Sequence, residues 1–578
     1  MSLFGAIKMG GNTLRAMQIG LQVVGNNIAN ANTPGYVRQE AIYVPAPVQR
    51  QGRLILGLGV EVDSIVQKLD QFIQERLVGA HGDRANADVQ EQIYREIEGI
   101  LNEFSENGVD LSSAVTNFFN ALHEVMKEPG NVGARNQAVG QGIALTENIV
   151  NLHGRVFDIQ QQLNDRVSAV SDQINSLAEE IRLLNIKIAS TEGGDTSASE
   201  AGGLRVRRQT AVDRLAELVG IRVAEQPSGG ISVSVAGELL VFEGQRREVV
   251  VTSNDDSGVA VGVIEFADTH SPLDVVSGEL NGLYTARNEI AGSFLEKLNE
   301  LAGTLAFEFN KVYSQGQGLV GFHQLTSTES VDDADAPLDD AGLSFTPVSG
   351  AFNVLIHSRE DDLTTTHTIL IDLNGLEDDT TLTSLAAQLD AIEGLSASVS
   401  STGALALASE STDIEFAFAP ASANSTGDTS GVLAALGLNT FFTGSTAATL
   451  GVNDEVKGIS NAGKFAASLG GIGNGEDSSN AVLLAGFLER PLESAGNANL
   501  FDLYNQLLNE VTQGSSIAQS VAEGFRVFEG TLEGQQQAVS GVSIDEEAIK
   551  MITLQRIYQA SARYIQTITE MLDMLVNL

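Results

Sequence analysis

The sequence predicts an α+β multidomain fold, with terminal coiled-coil-like helices and a long helical bundle carrying inserted β-rich domains. Three observations carry that prediction. Apolar residues recur at alternating spacings of three and four at both ends of the chain and through a long central stretch, the period of a helix seam. Runs of period two, the strand signal, lie between those segments. One stretch, 325–455, differs in composition: between Lys311 and Lys457 the only Lys or Arg is Arg359.

The first 30 residues place Leu3, Ile7, Gly10, Leu14, Met17, Leu21, Val24 and Ile28 on one seam. Asn26, Asn27, Asn30 and Asn32 then weaken the helix, and Thr33-Pro34-Gly35-Tyr36 stops it. Pro34 and Gly35 suit the two central positions of a type II turn, where Gly supplies the positive φ. A strand-like stretch with Pro45 and Pro47 follows. A second seam runs from Leu145 through Leu152, Ile159, Val167, Ile174, Leu177 and Ile181 to Ile188. Its one irregular step, Leu163 to Val167, locally unwinds a supercoil. Such a helix has about 45 residues and is roughly 65 Å long at 1.5 Å per residue. A third seam holds Ile290, Phe294, Leu298, Leu301, Leu305, Phe309 and Val312.

Ile231-Ser232-Val233-Ser234-Val235 alternates with period two, and Leu239–Phe242, Glu248–Thr252 and Val259–Phe266 continue a meander. In the acidic stretch, strands are expected at Thr368–Leu373, Leu395–Val399, Ala404–Ala408 and Ile414–Phe418, with a helix near Leu382–Ile392. The run DDADAPLDD at 332–340 reads as a solvated linker, with Ca²⁺ binding as the alternative. The final helix carries Met551, Leu554, Tyr558, Ser561, Ile565, Ile568, Leu572 and Leu575. Ser543-x-x-Glu546 opens it as a capping box. The expected division is therefore 1–40 with 540–578 as a terminal helical domain and 41–230 with 280–324 and 456–539 as a helical rod domain. Residues 231–279 form a small β region, and 325–455 an acidic, projecting β-rich domain.

Composition narrows the function classes. Of 578 residues, 33 are Lys or Arg and 75 Asp or Glu, so the net charge is 33 − 75 = −42. Nucleic acid and anionic membrane surfaces repel such a chain. Cys is 0, which leaves no disulfide, thiolate metal site or Cys nucleophile. Lys8, Arg15, Gln18 and Asn26 interrupt what a cleaved signal peptide needs as an apolar core, and no stretch reads as a membrane span. These features alone predict a soluble, cytoplasmic protein.

The search for chemistry yields no catalytic residue, no cofactor site and no metal site. Gly316-x-Gly318-x-x-Gly321 matches a dinucleotide fingerprint, but a helix precedes it where the fingerprint needs a strand, so it reads as a flexible turn. The seven histidines, at 81, 123, 153, 270, 323, 357 and 367, lack metal-binding spacing; His357 and His367 flank a hairpin-like stretch in which they could face each other.

The stretch Asn26-Asn27-Ile28-Ala29-Asn30-Ala31-Asn32-Thr33-Pro34-Gly35-Tyr36 resembles the signature of the bacterial flagellar axial proteins, the rod, hook and hook-associated family. Ser540-Gly541-Val542-Ser543-Ile544-Asp545-Glu546-Glu547-Ala548, followed by Tyr558-Gln559-Ala560-Ser561-Ala562-Arg563, is similar to the C-terminal signature of the hook-associated members found at the hook–filament junction. Ser277–Leu283 and Leu436–Gly444 are similar to internal stretches of those members, and Tyr313 stands where they have His. The resemblance implies a structural, non-enzymatic protein required for filament assembly, exported by the flagellar type III apparatus and secreted to the hook–filament junction. It implies partners as well: further copies in a ring of the axial tube, hook protein, a second hook–filament junction protein, and a cytoplasmic export chaperone at the C-terminal helix. Asn26, Asn27, Ala29, Asn30, Thr33, Pro34, Gly35 and Tyr36 would form the axial assembly motif. Ser540, Gly541, Asp545, Glu546, Glu547, Tyr558, Ile565, Ile568, Leu572 and Leu575 would form the assembly and chaperone helix. The alternatives are another axial subunit of hook or rod, or an axial scaffold carrying a wall-hydrolase or adhesin domain.

Overall fold

A computed structural model describes residues 3–51, 53–106, 111–193, 199–256, 259–376, 379–421 and 428–577. The chain divides into two compact units. The first comprises Met1–Ile93, Gln161–Arg287 and Ser516–Leu578; the second comprises Tyr94–Gln160 and Asn288–Ser515. The architecture is α+β, as the periodicities predict.

In the first unit the N-terminal helix Leu3–Ala29 lies along the C-terminal helix Ile544–Val576. Strand Gln39–Pro45 pairs antiparallel with Val60–Gln67, with a bulge between Ile42 and Tyr43. Strands Ile221–Glu225, Ile231–Val235, Glu238–Phe242 and Gln245–Arg246 form a four-stranded sheet in sequence order, and Val249–Asp256 pairs with Val259–Phe266. The meander thus gains a first strand, Ile221–Glu225, that alternation did not mark.

The long seam folds as one helix, Val132–Glu192, of 61 residues, longer than the seam alone suggests. Within the first unit its Leu163, Val167, Val170, Ile174, Ile181, Leu184 and Ile188 are buried. Leu177 is the exception: it is half-buried, and Ala178 takes the interior position. Asparagines on this helix clip the strands to it. Asn175 donates to the Val249 carbonyl at 2.7 Å and accepts from the Val249 N–H at 3.0 Å. Asn185 makes the same pair of bonds to Ile231, at 2.9 and 3.1 Å. Asn164 accepts from the Gly262 N–H at 2.9 Å. A primary amide can satisfy a strand's donor and acceptor together, so these polar side chains dock sheet onto helix without an unpaired buried group.

In the second unit, helices Leu111–Lys127 and Gly292–Tyr313 bury a cluster of rings. Phe118 sits 5.5 Å from Phe309, 5.4 Å from Phe441 and 5.7 Å from Phe442 between ring centres. Tyr313 is fully buried beside Phe441 and Phe465, and its hydroxyl accepts from the Ala466 N–H at 3.1 Å. With Trp absent, Phe supplies the large ring surface. Two three-stranded antiparallel sheets follow. One has the order Leu363–Ile371, Gly350–Ser358, Ile414–Pro420; the other has Gln324–Thr326, Leu405–Ser409, Leu395–Val399. Helix Leu382–Asp390 opens on a capping box between Thr381 and Ser384. Apolar residues from Phe322 to Leu438 share one core here.

Three sequence readings are corrected in this unit. The Gly316–Gly321 segment is packed, not a flexible turn: a Cβ on Gly318 would lie 2.4 Å from the Gly463 carbonyl oxygen, and one on Gly316 would lie 2.2 Å from Asn480 Nδ2. These glycines serve close backbone approach. The run 332–340 is docked rather than a free linker. Its aspartates 332, 333, 335, 339 and 340 face solvent, but Leu338 is buried and its N–H donates to the Thr380 carbonyl at 3.0 Å. His357 and His367 do not face each other. Strand register pairs His357 with Thr364 and Val354 with His367, which puts the two rings on opposite faces of the sheet.

Candidate assembly site

The two sequence motifs, more than 500 residues apart, meet in the first unit. At the centre is Glu547, buried at the start of the C-terminal helix. Its carboxylate accepts from Asn27 Nδ2 at 3.0 Å and from Arg38 Nε at 2.9 Å, with Arg38 Nη2 at 2.7 Å. Asn27 also donates to the Gln39 carbonyl at 2.9 Å, and its Oδ1 accepts from the Gln39 N–H at 3.0 Å and from the Tyr36 hydroxyl at 2.9 Å. Burial first, and then the Glu547 charge, push the Tyr36 phenol up, so it stays protonated and donating. Arg38 holds the chain on two further sides: its N–H donates to the Ser540 carbonyl at 3.0 Å, and Nη1 reaches Glu546 at 3.1 Å. A buried carboxylate survives only with such compensation, here one guanidinium, one amide and, at 3.8 Å, the Lys550 ammonium.

The turn that delivers Tyr36 to this knot is built as its sequence requires. Gly35 has φ +71°, and the Tyr36 N–H donates to the Thr33 carbonyl at 3.2 Å. Asn30 Nδ2 caps the helix end on the Asn26 carbonyl at 2.9 Å. Thr33, Pro34, Gly35 and Ala29 are exposed, so they shape the turn or face outward rather than entering the knot. At the other motif, the Ser543 hydroxyl caps the final helix by accepting from the Glu546 N–H at 3.4 Å. The expected capping box is only half made, because the Glu546 carboxylate is spent on Arg38. Gly541 has no room for a Cβ, which would sit 2.3 Å from the Gln537 carbonyl oxygen. The Ser540 carbonyl takes part in the knot, and Asp545 is exposed in the first turn, where its charge suits the helix N-terminus.

Beyond the knot the two terminal helices pack along their length. The interior face of the N-terminal helix is Ala6, Gly10, Ala16, Met17, Gly20, Val23, Val24 and Asn27. Of the seam read in sequence, Gly10, Met17 and Val24 are interior, while Leu3, Ile7, Leu14, Leu21 and Ile28 flank them half-buried, so the interior face is partly that seam and partly a rotation from it. Close approach drives that rotation: a Cβ on Gly10 would lie 2.6 Å from Ile565 Cγ1, and one on Gly20 would lie 2.1 Å from the Tyr43 hydroxyl. On the C-terminal helix, Met551, Leu554, Ser561, Ile565, Ile568 and Leu572 are half-buried as the 3/4 repeat predicts. Tyr558 and Leu575 are not: they are 38% and 63% exposed. Further apolar side chains stay outside the pair, among them Phe4 at 76%, Ile549 at 66% and Met574 at 62% exposed.

The sequence reading missed Arg38, Gln39 and Tyr43, which complete the knot and the helix contact. Their signal was weak, since a lone Arg two residues past a turn looks like ordinary surface charge. Among the described residues, no group of three or more His, Cys, Asp or Glu could hold a metal ion, and no helix is long and apolar enough to cross a membrane. The chemistry on offer is packing: small-residue contact, a buried ion pair and an apolar stripe.

Comparison with known proteins gives the same ends and the same middle. Residues 94–325 match the family described as "Flagellar hook-associated protein FlgK helical domain". Residues 7–36 match "Flagella basal body rod protein", and 535–578 match "Flagellar basal body rod FlgEFG protein C-terminal". The chain is 26% identical over 588 residues to flagellar hook-associated protein 1 of Escherichia coli, covering 98% of both chains. It is 26% identical over 381 residues to the protein of that name from Bacillus subtilis, covering 61% of this chain and 73% of that one. A solved structure, the flagellar hook junction protein FlgK from Burkholderia pseudomallei, aligns at a TM-score of 0.49 and 15% identity, over 81% of this chain and 100% of that one. Terminal motifs, helical middle and end-to-end similarity agree: the chain is similar over nearly its whole length to flagellar hook-associated protein 1, and its role is that of a structural protein of the bacterial flagellum.

Proposed function

We propose that this protein is a building block of the hook–filament junction, stacked as a ring in the axial tube, with hook protein on one side and a second junction protein on the other. In this reading the joined termini are the assembly element. They include the turn at Asn26–Tyr36 and the helix that carries Glu547, Tyr558, Ile565, Ile568, Leu572 and Leu575. The observation that carries it is the apolar surface left on the paired terminal helices. Ile552 is 52%, Met571 48%, Leu575 63% and Val576 79% exposed, all on the C-terminal helix. A lone helix pair gains most of its stability from packing, and a stripe of this kind calls for neighbours of the same construction. The same stripe would need cover before export through the type III apparatus, and a cytoplasmic chaperone on the C-terminal helix supplies it. No catalytic step belongs to this reading.

The test is a deletion strain viewed by electron microscopy. Cells lacking the protein should carry hooks without filaments and lose flagellin to the medium. Full-length filaments on the mutant cells would overturn the junction assignment.

A further inference from the structure

Among the described residues of the second unit's two three-stranded sheets, the nine-residue strand Leu363–Ile371 leaves its outer edge open, whereas the other edges are short, capped or bridged. In the sheet Leu363–Ile371, Gly350–Ser358, Ile414–Pro420, the outer strands are Leu363–Ile371 and Ile414–Pro420. The latter edge is covered, because Phe322 and Phe416 exchange backbone hydrogen bonds at 2.8 and 3.0 Å. In the neighbouring sheet the edge strand Leu395–Val399 has its Ala397 N–H capped by the Asp390 carboxylate at 2.9 Å, and Gln324–Thr326 is only three residues long. Leu363–Ile371 has nine residues, and among the described residues nothing bonds to the backbone of its outer edge. Folded proteins usually blunt such an edge with Lys, Pro, a bulge or extreme shortness. This strand reads LTTTHTILI, with no formal charge at neutral pH, no Pro and an unbroken register to its partner. Thr364, Thr366, Thr368 and Leu370 form its outward face, and Leu363 and Leu370 are 60% and 66% exposed.

The flanks decide what can pair there. Glu360, Asp361 and Asp362 precede the strand and Asp372 follows it, all exposed. A second copy pairing antiparallel in register would set Asp362 opposite Asp372 at both ends. In-register parallel pairing would set each carboxylate beside its own copy. Like charges directly opposite destabilise a strand pair, and a net charge of −42 adds to the repulsion. We infer that Leu363–Ile371 is a β-augmentation site for an extended segment of another protein, with an uncharged β-branched centre and Lys or Arg at both flanks. Main-chain hydrogen bonds to the open edge supply the affinity, and the acidic flanks set register and choose the partner. The proposal assigns an occupant to the acidic region whatever the role of the terminal helices.

The experiment uses the full-length protein and a fluorescein-labelled peptide of nine alternating Thr and Val residues with two Lys at each end. Fluorescence anisotropy should show saturable binding, and amide exchange across 363–371 should slow at least tenfold. Replacing Thr366 by Lys (Thr366→Lys) should weaken binding at least tenfold, with exchange in Gly350–Ser358 unchanged as the check that the sheet is intact. Asp361→Asn with Asp362→Asn leaves the strand itself untouched and should weaken binding several-fold while flattening its salt dependence. Unchanged exchange at 363–371 would overturn the proposal, as would equal binding of a Glu-flanked peptide. So would protection of 363–371 that rises with protein concentration alone, since the occupant would then be a second copy.

Discussion

Glu547 is the residue on which the joined termini turn. It is buried, and its charge is met by Arg38 and the Asn27 amide. Removing one member of a buried pair strands the other, at a cost of about 3–5 kcal/mol, whereas replacing both by apolar residues is often neutral. Glu547→Ala should therefore lower the melting temperature strongly, and Arg38→Met combined with Glu547→Leu should recover most of the loss. Asn27 still keeps its bonds to Gln39 in that double variant. Calorimetry of the four species in a double-mutant cycle checks this. A second residue gives a pH signature. Burial raises the Asp477 carboxyl, but bonds from the Ser468 and Ser479 hydroxyls and the Leu469 and Ser479 N–H groups outweigh it and hold the value at about 2. A group held below its unfolded value near 3.8 contributes stability above that pH and loses it as pH falls toward 2. Asp477→Asn should be less stable than wild type at pH 6, and the gap should close between pH 4 and 2 in paired thermal melts. Individual residues were only partly legible in sequence. Asn27, Tyr36 and Glu547 stood out through motif resemblance. Arg38 did not, because a partner 509 residues away leaves no local pattern.

At the scale of elements, periodicity found the helices, and for the N-terminal one only part of the face it buries. The N-terminal helix was legible from its 3/4 repeat, and Gly10, Met17 and Val24 of that repeat are interior, but Ala6, Ala16, Gly20 and Val23 join them while Leu3, Leu14 and Leu21 are only half-buried. Hydropathy ranks large side chains first, while two closely packed helices select small ones at the contact. Gly20→Val should break the helix pair, since its Cβ would fall on the Tyr43 hydroxyl and within 3.1 Å of Leu554 Cδ1. Gly11→Ala is the control: its Cβ meets nothing within 4 Å, and an exposed Gly-to-Ala change in a helix gains about 0.5–1 kcal/mol. Circular dichroism melts of the two variants should move in opposite directions. The long helix shows a different blind spot. Its apolar seam was readable, but the 3/4 repeat gives no mark to Asn164, Asn175 and Asn185. They proved to be strand clips, because a helix amide matches a strand's exposed donor and acceptor. In the acidic region, the sequence marked four of the strands but not Gly350–Ser358 or Gln324–Thr326, and their register, and hence the separation of His357 from His367, needed the sheet itself.

For the whole molecule, a chain that opens and closes on helices more than 500 residues apart brings those helices together and leaves an apolar stripe on them. Bringing distant ends together costs chain entropy that grows slowly with length, so a modest contact set suffices to hold them. In the proposed function this paired surface assembles the junction, while the second unit folds without it. The most direct test replaces Ile565, Ile568 and Leu572 together by Ala and returns the variant to a strain lacking the protein. Each of the three is half-buried on the helix that lies along the N-terminal one, and Ile565 packs at Gly10, so the triple change removes several kcal/mol of packing. Protein should be recovered in the medium, the melting transition of the second unit should be unchanged, and the cells should bear hooks without filaments. Normal filaments on cells expressing that variant would contradict it.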